Sequence, residues 1–157
     1  MADGPKGGSK AARNERRRAR AVRALVFINR LFEYECRELD VSMAQYRMLL
    51  YLRHGPRRAG ELAARASITR PTLSILIGAL EKQGLIRRTS VDVDRRGVHL
   101  ELTRKGETAI ERVEARFGEI FDGATKECDR EGLLDGLNEL ARALNDQVVA
   151  RVRVDDD

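Results

Sequence analysis

The chain has 157 residues, 42% apolar and 35% charged, with 30 Lys and Arg against 25 Asp and Glu and a formal net charge of +5. That length supports one domain with its own core, and its longest uncharged apolar stretch, residues 71–80, is half of the ~20 residues that a membrane-spanning helix needs. With no apolar run behind the basic N-terminus and only two cysteines, Cys36 and Cys128, the composition argues against a membrane span, a secretory signal, a disulfide framework and a zinc or thioredoxin motif, so a cytoplasmic protein without metal or cofactor is expected.

Residues 1–10 are Gly-rich and polar, with nothing to bury, and read as a mobile tail. From Ala11 the composition turns helical. Val22, Leu25, Val26, Asn29, Phe32 and Cys36 recur at the spacing of one helix face, which predicts one long helix to about Leu39 with a strongly basic first part. Asp40 and Ser42 offer caps for a second helix, MAQYRMLLYLRH, which Gly55-Pro56 stops.

A short helix, GELAARAS, is followed by the turn Ser67-Ile68-Thr69, and Thr69 caps a further helix, RPTLSILIGALEKQ, with Pro71 in its first turn. Residues 85–91 and 98–102 alternate as strands around the charged loop 92–97, giving a hairpin with an arginine-bearing tip. Thr103 caps a fifth helix with Ile110, Val113, Phe117, Ile120, Phe121 and Ala124 on one face. A last helix carries the stripe Leu133, Leu137, Leu140, Ala141, Leu144 and Val148. The fold class is mainly α with a small β-hairpin wing, without repeats or an internal linker.

The charge is unevenly placed. Residues 1–23 hold eight Lys or Arg against Asp3 and Glu15, while residues 106–157 carry a net charge of −7. A basic arm and a basic hairpin opposite an acidic region suit a polyanion, and equally suit a solvated tail and surface.

Two short helices joined by a tight turn and followed at once by a basic hairpin describe a winged helix-turn-helix. Its second helix fits a major groove about 12 Å wide, and the hairpin reaches the neighbouring minor groove. The first turns of that helix hold Thr69, Arg70, Thr72 and Ser74, placed to reach phosphates and base edges, although Thr69 and Thr72 also read as capping groups. Arg87 and Arg88, with Lys82 and Arg104, flank the hairpin as candidate phosphate contacts. No phosphate-cradling Gly loop, catalytic carboxylate pair or nucleophile–base signature is present in the sequence, so no enzyme is expected.

The segment from Leu62 to Gly106 resembles the core of the MarR family of bacterial transcription regulators. The residues that carry the resemblance are Leu62-Ala63, Leu80-Glu81-Lys82 with Gly84-Leu85-Ile86, Asp94 with Arg96, and Leu102-Thr103 with Gly106; Gln45 extends it upstream, so that it covers roughly residues 22–150. The resemblance implies a homodimer that binds a palindromic operator on double-stranded DNA, in most cases as a repressor released by a small aromatic or anionic effector. It also implies one domain over 11–157, with 11–40 and 104–154 as dimerisation helices around a DNA-binding core at 42–103. Arg96 matches the family's minor-groove arginine, with Asp94 steadying the loop and Arg95 as local competitor.

Ile75 stands where relatives commonly carry Arg. The family's effector pocket lies between the dimerisation helices and the core, where Phe32, Cys36, Arg47, Tyr51 and His54 are the candidates. Packing roles for Phe32 and Tyr51 and a helix-end role for His54 fit the same residues. Cys36 lies among Glu33, Glu35 and Glu38, which would raise its pKa, and reads as a small buried apolar residue rather than an oxidant sensor. An effector-independent architectural DNA- or RNA-binding protein is the alternative, dominated by the basic arm.

Overall fold

The computed structural model describes residues 7–66, 68–90 and 98–154. Residues 1–6, Ser67 and the hairpin tip with Asp94, Arg95 and Arg96 lie outside the described residues. In chain order the elements are α1 (Gly7–Glu38), α2 (Met43–Leu52), β1 (Arg57–Arg58), α3 (Ala59–Ala66), α4 (Arg70–Lys82), β2 (Ile86–Ser90), β3 (Val98–Leu102), α5 (Arg104–Ala124) and α6 (Arg130–Val154). Two features depart from expectation: α1 starts at Gly7, inside the segment read as a tail, and β1 was not anticipated.

Local chemistry accounts for the boundaries. Ser42 accepts from the Gln45 backbone N–H at 3.1 Å while the Gln45 side chain accepts from the Ser42 N–H at 2.7 Å, a reciprocal cap that starts α2. Thr69 caps α4, with Pro71 in its first turn. Thr103 caps α5 by accepting from Gly106 N–H at 3.1 Å and donates its own proton to the Gly84 carbonyl at 2.7 Å, tying the turn after α4 to the start of α5. Gly84 itself has a φ of 72°, which a side chain would resist.

The sheet is antiparallel in the order β1-β3-β2, with Arg88 opposite Leu100 and Arg87 opposite Glu101. One core unites α2, α3, α4, the sheet and the first half of α5, centred on Met48, Leu49, Leu52, Leu62, Leu80, Leu100 and Ile110, each at most 2% exposed. The C-terminal part of α1 packs on α2 and α5. There Glu35 accepts from Arg116 Nε at 2.7 Å, and the Phe32 and Phe117 rings stack with centroids 3.9 Å apart.

Much of the apolar face of α1 and α6 remains open. Val22, Leu25, Val26 and Phe27 are 50–69% exposed, and Leu133, Leu137, Leu140 and Leu144 are 37–50% exposed. The periodicity marked real apolar faces, but this single chain does not cover them. Among the described residues no helix is long and apolar enough to cross a membrane.

Candidate nucleic-acid interface and effector clefts

Helix α4 owes its position to Leu73, Ile77 and Leu80, which are buried and fix which side of the helix faces outward. Arg70, Thr72, Ser74 and Ile75 are all exposed, with Ile75 at 76%. Thr69 and Thr72 hydroxyls lie 2.9 Å apart and share a hydrogen bond, so the capping role and a place on the outer surface coexist. Arg70 has no ion pair among the described residues. A large aliphatic side chain standing in solvent on a helix otherwise anchored by apolar residues is what the departure at Ile75 produces.

Arg70, Ser74 and Arg88 come together. With Ala59, Gly60, Leu73, Ile77 and Leu100 they line a cleft of about 430 Å³ between α4 and the sheet. Arg88 reaches it because it shares the face of Leu100, opposite in register. Its guanidinium is held by the Glu81 carboxylate through two hydrogen bonds, of 2.8 and 3.2 Å, which push its pKa further up. Arg87 points to the other face and pairs with Glu101 at 3.0 Å. Both hairpin arginines are therefore anchored at the carboxylate side while remaining mostly exposed. Ala59 and Gly60, at the start of α3, belong to the same surface and were not anticipated; the Gly55-Pro56 punctuation just upstream was the signal available.

Two of the five effector candidates line one space among the described residues. Arg47 and Tyr51 line a space of about 50 Å³ with Ala44, Met48, Ala66, Ile68 and Leu76, and the Arg65 guanidinium stands 5.5 Å from the Tyr51 ring centroid. Phe32 belongs to the aromatic stack against α5, where Tyr46 also meets Phe117 edge-on at 5.9 Å. Cys36 is fully buried, and burial pushes its thiol pKa up. His54 is exposed beyond the end of α2.

A larger cleft of about 210 Å³ opens where the end of α1, the end of α4 and the start of α5 converge, lined by Leu39, Val41, Leu85, Ala109, Gln83, Lys105, Thr108, Arg112 and Asp40. Its floor is apolar. Lys105 Nζ donates to the Gln83 carbonyl at 2.7 Å, and Arg112 is exposed without an ion pair among the described residues. No cluster of His, Cys, Asp and Glu able to hold a metal occurs among the described residues.

A model of the MarR family matches residues 39–97. The HTH-type transcriptional regulator FarR of Neisseria gonorrhoeae is 33% identical over 109 residues, 67% of this chain and 75% of that relative. The homoprotocatechuate degradative operon repressor of Escherichia coli is 30% identical over 83 residues, 52% of this chain and 56% of that relative. The crystal structure of NadR in complex with 4-hydroxyphenylacetate aligns at a TM-score of 0.62 with 26% identity, covering 91% of this chain and 97% of that one.

Proposed function

The chain belongs to the MarR family of DNA-binding transcriptional regulators, and from that premise we propose that it is a homodimeric repressor of a palindromic operator, released by a small aromatic acid. Its α4 helix enters the major groove and the hairpin reaches the adjacent minor groove. The observation that carries the reading is the outward surface of α4, where Arg70, Thr72, Ser74 and Ile75 stand exposed beside Arg88 over a buried Leu73-Ile77-Leu80 seam. Dimerisation joins the open apolar faces of α1 and α6, which pack against nothing among the described residues over most of their length.

Effector relief is supported by NadR, which was solved with 4-hydroxyphenylacetate. The α1–α4–α5 cleft suits a single-ring acid better than the Arg47–Tyr51 space, because it has the volume, an apolar floor and the Arg112 and Lys105 cations. A ligand there touches the dimerisation helices and the C-terminus of α4 together, so its binding can bias how the two are set against each other.

The test is a titration of the DNA adjoining the gene at one fixed salt concentration. Replacing Arg70 or Arg96 by Ala should cost about 1–3 kcal/mol, the range for a good base-edge arginine, and Ile75→Ala less, since Ile75 offers at most contact with a thymine methyl. Unchanged affinity in both arginine variants would reject this mode of binding.

A further inference from the structure

Every residue from Lys10 to Leu31 of α1 is exposed, and no side chain from Lys10 to Ile28 has a hydrogen bond or ion pair among the described residues. At 3.6 residues per turn, Lys10, Arg13, Arg16, Arg17, Arg20 and Arg23 fall within an arc of about 140°, with Arg18 outside it. Ala12, Ala19, Val22 and Val26 fall on a separate arc, while the exposed Phe27, Leu31 and Tyr34 farther along the helix continue the line of the basic arc. The first half of α1 is thus two-faced: one side carries small apolar residues with Glu15 among them, the other a stripe of cations without a carboxylate.

We propose that the basic stripe of α1 is a second duplex-binding surface, one that grips phosphates beyond the base pairs read by α4 and the hairpin. The choice of DNA as the polyanion rests on the function proposed above. Six cations on one face, without a carboxylate interleaved on that face, have no ion-pair partner among the described residues. Their like-charge repulsion is relieved by an external row of negative charge. Lys10 to Arg23 spans about 20 Å, the length of about six phosphates along one strand at ~3.4 Å each. The helix carries no donor set shaped for a base pattern, and the exposed Phe27, Leu31 and Tyr34 on the line of the basic arc all lie beyond Arg23, so a dimer seam there leaves the stretch from Lys10 to Arg23 free. The surface therefore adds affinity and salt dependence without adding sequence preference.

The experiment compares the full-length protein with an Arg13→Gln/Arg16→Gln/Arg17→Gln/Arg20→Gln variant, which keeps helix propensity and removes charge. Random-sequence duplexes of about 20 and about 60 bp are titrated between 50 and 200 mM salt. Helix content by circular dichroism controls for folding, and selection from a random-sequence library reports separately on specific recognition.

The expected result is a slope of log affinity against log salt shallower by up to about 3.6 per arm, or about 0.9 per lost contact, with the selected motif unchanged. A difference confined to the longer duplex places the arm on flanking DNA, and a difference on both lengths with two duplexes per protein places it on a second duplex; each supports the surface. An unchanged slope in a helical variant that still selects its motif overturns this inference alone. So does an unchanged slope accompanied by loss of binding to vesicles of 3:1 phosphatidylcholine and phosphatidylglycerol, which would assign the stripe to membranes. Absence of any selected motif in the unmodified protein would instead sink the repressor reading.

Discussion

Gln45 Nε2 donates to Gln83 Oε1 at 3.0 Å, a bond between the start of α2 and the residue that ends α4. Gln83 Nε2 in turn donates to the Asp40 carbonyl at 3.2 Å. One side chain thus ties the end of α4 to the turn after α1, where Asp40 holds a φ of 59°. Gln83→Ala leaves the buried Gln45 amide without its partner and should cost about 1–3 kcal/mol in urea unfolding. DNA affinity should fall with it, because α4 loses the tie that sets its angle. A variant as stable as the parent would show that water replaces the bond.

Two glycines should respond in opposite directions to Ala. A Cβ on Gly106 would meet the Leu85 carbonyl oxygen and stand 2.7 Å from Leu102 Cδ1, at the junction that Thr103 closes. Gly106→Ala should destabilise by about 1–3 kcal/mol, the cost of overpacking. A Cβ on Gly78 would meet nothing within 4 Å inside a helix, so Gly78→Ala should stabilise by about 0.5–1 kcal/mol. Thermal unfolding of both variants reads the two signs.

Burial, then the nearby Glu114 carboxylate, push the Tyr46 phenol pKa up to about 12. Both folded and unfolded states keep this proton below about pH 10, so no stability is lost there. Between pH 10 and 12 the unfolded tyrosine ionises while the folded one resists, and stability falls as pH rises through that window. Tyr46→Phe should flatten this alkaline loss and remove the step near pH 12 from the absorbance titration at about 295 nm.

The cysteines should separate cleanly by reactivity. Cys36 is fully buried with a raised pKa, and Cys128 is exposed. A thiol reagent at neutral pH should modify one cysteine per native chain, at Cys128, and both after denaturation. Rapid native labelling of Cys36 would reopen an oxidant-sensing role.

What was legible in the sequence was local. Ser42, Thr69 and Thr103 cap because their hydroxyls reach the backbone N–H three residues on, and the hairpin follows from alternation in residues 98–102. Two-residue β1 carries no period to detect, and its Arg57-Arg58 sequence looks like loop. The surroundings of the effector candidates were not legible for a different reason: Phe32 and Tyr51 are compatible with either core or cavity until the approach of α5 and α4 is known. Gln83 had no signal at all, since its partners lie 38 and 43 residues away.

Selection of bound duplexes from a random-sequence library tests the central claim most directly. Two copies of α4 related by a two-fold axis should enrich an inverted repeat with half-site centres about 10 bp, or a multiple of that, apart. Arg70→Ala should relax the motif at the positions that α4 reads while keeping the repeat. A library that emerges without a motif, or with a lone half-site lacking symmetry, would contradict a dimeric operator-binding repressor.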